Sequence, residues 1–285
     1  MPNDAARALL DQAGSTHDDA FDPVATALAL GQADDPACDA ASAREAIAGL
    51  AASARLLLAD NPEAAAGDAR ARANLIATVL ATHGYRGDRE TYDDEANANL
   101  ARVVARRQGL PVALGLLWLG LARALGWPAA GLDFPGHFLL ALEGATPATT
   151  PATPLVLDPF DSGRVLDAAA MEALPRRTRR GAAPPEDAQL PTMTPRQVVL
   201  RLANNLRVRR LDAARWDAAL SITEDMLRFA PQARWLLPEA AQLAHRLGFS
   251  HRAEAQLLAF LAETPAPDEA EAARRLLQAV RQDLH

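Results

Sequence analysis

The chain has 285 residues, 49% of them hydrophobic and 23% charged, so it has enough apolar material for a sizeable core in one large domain or two. Its net charge of -7 and its isoelectric point of about 5.4 argue against a general nucleic-acid-binding protein. The one cysteine, Cys38, excludes an internal disulfide framework and fits a reducing compartment.

The start of the chain, MPNDAARALL, has no basic region followed by an apolar stretch, so it does not have the pattern of a signal peptide. The longest apolar run, from Pro111 to Leu125, is short for a helix that crosses a bilayer. All 29 basic residues are arginine and alanine is abundant, which is typical of a GC-rich bacterial gene. We therefore expect a cytoplasmic bacterial protein that contacts neither membrane nor nucleic acid.

The first 90 residues predict a helical N-terminal part of the core domain. The predicted helices are Asp4–Ala13, Pro23–Gly31, Asp39–Leu58 and Asp68–His83. Cys38 precedes the third of them and lies among acidic residues, which raise the pKa of a thiol. It is therefore a poor candidate for a nucleophile.

A polar loop follows at residues 84–96, with the sequence GYRGDRETYDDEA. Its acidic run from Asp93 to Glu95 has no histidine or second carboxylate cluster at a matching spacing. We interpret it as a solvated loop that caps the next helix, and we expect no metal or other cofactor. Arg106 and Arg107 then allow two interpretations: they hold a carboxylate or phosphate in a bidentate way, or they complement the negative end of a helix.

A buried helix is predicted from Pro111 to Leu125, because Pro is favoured in the first helical turn and apolar residues cover nearly every face. Two short strand-like runs follow. The first, Gly136–Leu140, carries His137, and the second, Val156–Phe160, carries Asp158. The segment between them, GATPATTPAT, is rich in proline and threonine and should be exposed. A central helix with strands packed around it predicts an α+β core.

Helix, strand with histidine and strand with aspartate form the order of a papain-like or transglutaminase-like site. In such a site the nucleophile lies at the helix N-terminus, where the helix dipole favours a thiolate. Here, however, residues 97–144 contain no serine, threonine or cysteine. Covalent acyl transfer would have no nucleophile to start from.

These segments resemble the bacterial SirB-type family of transglutaminase-like proteins with C-terminal tetratricopeptide-like repeats. The resemblance rests on the phrases YRGDRETYDDEANANL, RRQGLPVALGLLWLGLARALGWP, GLDFPGHFLLAL and LDPFDSG. It covers most of the chain and implies a cysteine-protease-like α+β core. Laid against a transglutaminase pattern, the catalytic cysteine position falls on Pro111, and His137 and Asp158 match the other two triad positions.

The site is thus expected to be a degenerate triad of Pro111, His137 and Asp158. We expect the surrounding pocket to include further aromatic, amide and basic side chains, namely Tyr92, Asn97, Arg106, Arg107, Phe134 and Phe160.

The last third of the chain predicts a helical repeat. A shift of 34 residues, the tetratricopeptide period, places alike residues on each other: Ala219 on Ala253, Leu227 on Leu261, Pro231 on Pro265 and Leu202 on Leu236. Before it, the basic and proline-rich segment 176–195 has the composition of a linker. The predicted division is 1–90 and 91–175 for the two parts of the core, 176–195 for the linker and 196–285 for the repeat.

Two functions are compatible with this organisation. The first is a non-catalytic scaffold that binds a protein or peptide in the degenerate cleft, with the repeat as a further binding face. The second is a hydrolase or amidase in which His137 and Asp158 activate water without a covalent intermediate. The missing nucleophile favours the first, and the sequence leaves the oligomeric state open.

Overall fold

A computed structural model of the chain describes residues 2–134, 136–145, 154–174 and 190–284. Helices predominate, and they are α1 Pro2–Ser15, α2 Pro23–Asp34, α3 Ala40–Ala59, α4 Pro62–Ala66, α5 Ala69–Thr82, α6 Leu100–Arg106, α7 Pro111–Ala124, α8 Ala168–Glu172, α9 Pro195–Asp212, α10 Trp216–Phe229, α11 Leu237–Arg246, α12 Ser250–Leu261 and α13 Pro267–Gln282. The four helices predicted in the first 90 residues correspond to α1, α2, α3 and α5.

Many of these helices begin where a side chain can accept a hydrogen bond from a backbone amide of the first turn, which would otherwise have no partner. The capping residues are Asp22, Asp39, Asn61, Asp68, Asn99, Asp167 and Thr194. The predicted acidic loop contains a short 3-10 helix, Glu95–Ala98, whose start is capped by Asp94.

The strands are β1 Arg86–Gly87, β2 Gln108–Gly109, β3 Ala129–Phe134, β4 His137–Leu142, β5 Leu155–Asp158, β6 Arg164–Leu166 and β7 Thr192–Met193. The first two form a small parallel pair. The others form an antiparallel sheet in the order β6-β5-β4-β3-β7. The chain is therefore a helix-rich α+β protein, as the sequence predicts.

Helix α7 is the centre of the main core. Of its residues, Leu114, Leu116 and Leu117 are fully buried, and α7 packs on β4 at Gly115. A Cβ atom at Gly115 would lie 2.2 Å from the Phe138 ring, so only glycine allows this close approach of helix and strand. The opposite face of the sheet carries a smaller apolar cluster that includes Leu139.

The predicted boundary at residue 195 does not separate two cores. Val198 and Leu202 of α9 and Phe229 of α10 lie in the same core as α7, and β7 pairs with β3. A second core forms only farther along, among α10 to α13. The all-α C-terminal region therefore continues from the α+β core instead of following it as a separate unit.

Some predictions concern segments that the structure does not describe. Residues 146–153 of the predicted exposed loop and residues 176–189 of the predicted linker lie outside the described residues. Among the helices that the structure does describe, none is both long and apolar enough to cross a membrane.

The burial of α7 generates a stability prediction. Leu117 is fully buried, so Leu117→Ala should lower the free energy of unfolding by about 2–5 kcal/mol, the range for a large-to-small change in a core. The control is Leu56→Ala on α3, whose side chain is 73% exposed and whose loss should change stability by less than about 0.5 kcal/mol. Urea titration measures both, and a loss below about 1 kcal/mol for Leu117→Ala would contradict the buried position.

Candidate functional site

The three positions of the expected triad line one cavity. It has a volume of about 370 Å³ and lies where α7 begins, β4 begins and β5 ends. We call it the His137 cavity; its lining residues are Arg89, Tyr92, Pro111, Gly136, His137, Asp158, Phe160, Asp161, Arg164 and Leu174.

Strand pairing places His137 and Asp158 at this cavity. β4 and β5 are antiparallel neighbours, with Leu140 opposite Leu157, so the start of β4 and the end of β5 lie at the same edge of the sheet. His137 is also held from the other side, because it pairs with Phe134 of β3 across a connection of only two residues. One of these, Gly136, has a φ of 80°, a conformation that favours glycine.

The hairpin that carries His137 is fixed from α9. The guanidinium of Arg201 donates hydrogen bonds to the backbone carbonyl of His137 at 2.6 Å and to that of Phe134 at 3.4 Å. It also forms an ion pair with Asp133. The ring of His137 contacts the edge of the buried Phe134 ring, with centroids 6.1 Å apart. Both the backbone and the ring of His137 are thus held by neighbouring residues.

Asp158 is buried and shapes the turn that follows β5. Its Oδ1 atom accepts hydrogen bonds from the amides of Phe160 at 2.9 Å and Asp161 at 3.3 Å. This turn places the Phe160 ring against Tyr92, with ring centroids 5.8 Å apart in an edge-to-face contact. The carboxylate therefore has a structural function in the wall of the cavity, whatever its chemical function.

Two arginines and one aspartate give the cavity its charge. Arg89 and Arg164 each pair with Asp161, at 3.0 Å in both cases. The guanidinium carbon of Arg89 also lies 5.3 Å from the centroid of the Phe160 ring, within the range of a cation–π interaction. Two cationic groups that share one carboxylate next to exposed ring surface can bind an acidic or aromatic side chain.

The lining residues of the cavity include no cysteine, serine or threonine. Cys38 lies elsewhere, in the turn between α2 and α3, and it is buried. Burial and the nearby Asp35 raise the pKa of its thiol, as the acidic sequence around it predicts. Among the described residues there is also no cluster of three or more His, Cys, Asp or Glu side chains that could hold a metal ion.

The predicted pocket residues divide into three groups. Tyr92 and Phe160 line the cavity, and Phe134 is buried against His137. Asn97 and Arg106 are instead part of a buried polar network, and Arg107 lines a different cavity, between α3 and α6.

Four residues that line the cavity were not predicted from the sequence: Arg89, Asp161, Arg164 and Leu174. The first two lie within the quoted family phrases, and that was the only signal for them.

The buried network is centred on Asp88. Its Oδ2 atom accepts hydrogen bonds from the Thr91 hydroxyl at 2.6 Å, the Asn97 amide at 3.0 Å and Arg106 at 3.3 Å. Its Oδ1 atom accepts from the backbone amides of Glu90 at 3.0 Å and Thr91 at 2.8 Å. The hydrogen bonds from Thr91, followed by those from Asn97 and Glu90, hold the pKa of Asp88 well below its ordinary value, although burial opposes them.

Comparisons with known proteins agree with this geometry. The model of the transglutaminase-like superfamily matches residues 41–204, which extend from α3 into α9. A UPF0162 protein of Vibrio cholerae is 31% identical over 214 residues, which are 75% of each chain. A UPF0162 protein of Xylella fastidiosa, strain Temecula1, is 34% identical over 175 residues, so the match spans 58% of this chain and only 59% of that protein.

The resemblance to SirB-type proteins also has a direct counterpart. The protein SirB1 of Salmonella typhimurium is 23% identical over 191 residues, 67% of this chain and 69% of that protein. No solved structure matches the chain significantly.

The Asp88 network predicts an acid-sensitive contribution to stability. Asp88→Asn replaces an acceptor by a donor that faces Thr91, Asn97 and Arg106, so it should lower the free energy of unfolding at pH 7 by about 2 kcal/mol or more. Because the folded-state pKa is lowered, the carboxylate stabilises above the unfolded-state value of about 3.9, and this contribution is lost as the pH falls below it.

Urea titrations at pH 7 and at pH 3 test this prediction. The difference between the wild type and Asp88→Asn should shrink at the lower pH. An equal difference at both pH values would show that the ionised carboxylate does not stabilise the fold.

Proposed function

This chain belongs to the transglutaminase-like superfamily and to the family of the UPF0162 proteins, and we propose that it binds a protein or peptide at the His137 cavity without catalysing acyl transfer. The observation that carries the proposal is the lining of the cavity. Pro111 lies at the start of α7, where a nucleophile would be, and the residues around it supply neither thiol nor hydroxyl except the phenol of Tyr92.

The chemistry of the walls supports a peptide ligand. The Phe160 ring and Tyr92 offer apolar and polar aromatic surface, and Arg89 and Arg164 offer planar donors next to it. Small sites of this kind fix a ligand through a few placed polar groups on an apolar wall. The volume of about 370 Å³ suits one or two side chains of a longer partner.

The C-terminal helices support a scaffold function. Helix α9 ends at Asp212 and α11 at Arg246, while α10 begins at Trp216 and α12 at Ser250, so both pairs are offset by 34 residues. Ala219 and Ala253, which are 34 residues apart, are both fully buried, as small residues are where two repeat helices cross. We interpret these helices as two tetratricopeptide-like repeats closed by α13, with α9 shared between the repeat and the wall behind His137.

A second candidate is favoured by one observation, that His137 and Asp158 line the same cavity. In that case the imidazole would activate water as a general base and the carboxylate would orient it. A hydrogen bond between the two side chains stays a prediction. Water activation without a nucleophile or metal is the less supported function, and substitution of Pro111 distinguishes the two.

The test of non-catalysis uses the missing nucleophile. In a Cys38→Ala background, the wild-type site should neither turn over peptide esters or glutamine peptides nor react with iodoacetamide. Pro111→Cys in the same background should gain a thiol at the first turn of α7, and the helix dipole should lower the pKa of this thiol. The pH dependence of iodoacetamide alkylation gives that pKa.

The matched control is Pro111→Cys with His137→Ala, in which alkylation at neutral pH should be about tenfold slower or more if the imidazole stabilises the thiolate. Turnover of an acyl substrate by the protein without Pro111→Cys, abolished by His137→Ala, would establish the hydrolase or amidase function and overturn the proposal.

Binding is tested separately, with peptides selected by the wild-type protein from a random displayed library. Arg89→Gln and Arg164→Gln should each weaken such a peptide about tenfold, because each removes a charge-assisted contact from the cavity. The control is Arg275→Gln on α13, which removes an exposed arginine paired with Glu271 far along the chain. Equal affinity for all four proteins would place the peptide site elsewhere.

A further inference from the structure

A second cavity lies between α3 and α6 and shares no lining residue with the His137 cavity. Its volume is about 660 Å³, within the usual size of a small-molecule site. We call it the α3–α6 groove. Its α3 side is a row of small side chains on one helix face, Ser42, Ala43, Ala46, Gly49 and Ser53. A Cβ atom at Gly49 would meet no atom within 4 Å, so the groove is open at its middle.

One end of the groove contains a buried tyrosine whose hydroxyl has no partner. Tyr85 lines the groove and is 8% exposed, and its hydroxyl makes no hydrogen bond within the described parts of the chain. Burial raises the pKa of this hydroxyl, and the charge of Arg107 opposes the rise. A buried tyrosine hydroxyl normally has a hydrogen-bond partner, since leaving it unpaired costs free energy. Tyr85 therefore indicates a ligand group at this end.

The same end carries an uncompensated positive charge. Arg102 and Arg106 of α6 are paired, with Asp35 and with Asp88 respectively. Arg107, which ends α6 in a left-handed conformation with a φ of 59°, lines the groove, and among the described residues its guanidinium makes no ion pair or hydrogen bond.

His83 lies at this end as well, with its Nδ1 atom 2.9 Å from the Val79 carbonyl, which leaves Nε2 for a ligand. These groups attract an anion.

The shape of the groove restricts the part of the ligand that lies beyond the anionic group. The α3 side extends from Asp39 to Ser53, a rise of about 21 Å, so a volume of about 660 Å³ gives a mean cross-section of about 30 Å². This is narrower than a helix with its side chains, which is about 10–12 Å across. An extended peptide would leave backbone amides against the apolar wall of Leu50, Ala101 and Val104.

We propose that the α3–α6 groove binds a free monocarboxylate with an unbranched apolar chain. The carboxylate contacts Arg107 and the Tyr85 hydroxyl, and the chain lies along the small residues of α3. An alkyl chain has no polar groups to satisfy and fits the narrow cross-section, while the carboxylate accepts from both donors. This site is independent of the function proposed for the His137 cavity.

Isothermal titration calorimetry with decanoate, below its micelle concentration, tests the proposal on the full chain. Arg107→Gln should weaken decanoate about tenfold and Tyr85→Phe about fivefold, because each removes one donor to the carboxylate. Gly49→Leu should abolish binding by filling the middle of the groove, and it should not impair folding, since leucine is favoured over glycine inside a helix. Decanol should bind about tenfold more weakly than decanoate.

Arg89→Gln, in the other cavity, is the matched control and should bind decanoate with wild-type affinity. Thermal unfolding of each variant shows that a loss of binding is not a loss of folding. The proposal is overturned if decanoate does not bind the wild type, if a folded Gly49→Leu binds it as well as the wild type does, or if decanol binds equally well.

Discussion

The arginine side chains of α9 are the interaction on which the arrangement of this protein depends. Arg196 reaches Asp18 at 2.8 Å and the carbonyls of the α1 end, Arg201 reaches the hairpin before His137, Arg209 donates to the Tyr92 carbonyl at 3.0 Å, and Arg210 pairs with Asp34 and Glu95. One helix thus joins the N-terminal helices, the sheet and the loop that leads to α6. A guanidinium suits this function because its planar fork can donate to several carbonyls or carboxylates at once, which a lysine ammonium does with less geometric specificity.

This arrangement explains why the α+β core and the C-terminal helices are not separable units. Buried arginines such as Arg196 and Arg210 are tolerated only because acceptors surround them, and those acceptors come from distant parts of the chain. The apolar residues of α9 lie in the same core as α7. Helix α9 also contacts two residues of the His137 cavity through their carbonyls, those of His137 and Tyr92. A partner bound to the C-terminal helices would therefore act on an element that already holds the cavity.

Sequence reasoning predicted the elements with strong periodicity and missed those that depend on their neighbours. The buried helix from Pro111 and the strands of His137 and Asp158 follow from apolar patterns, and the structure contains all three. The strand β3 begins Ala-Ala-Gly, which has low strand propensity, and it forms because β4 pairs along its whole length. In the same way, no local pattern shows that Asn97 and Arg106 satisfy the buried Asp88, because their function is set by a tertiary contact. Arg106 holds a carboxylate as one interpretation allowed, but the carboxylate belongs to the protein itself.

Arg106 and Arg107 also show how one backbone conformation separates two sites. Arg106 ends the helical part of α6 and turns toward Asp88, whereas the left-handed conformation of Arg107 turns the next side chain toward the α3–α6 groove. A comparable economy holds at the His137 cavity. Asp158 accepts two amides of the turn that carries Phe160, and the backbone of His137 is held by Arg201, so both residues have structural functions that do not need a nucleophile. The geometry of a transglutaminase-like site can therefore be kept by folding requirements even where Pro111 takes the place of the cysteine, and the presence of histidine and aspartate alone is not an argument for catalysis.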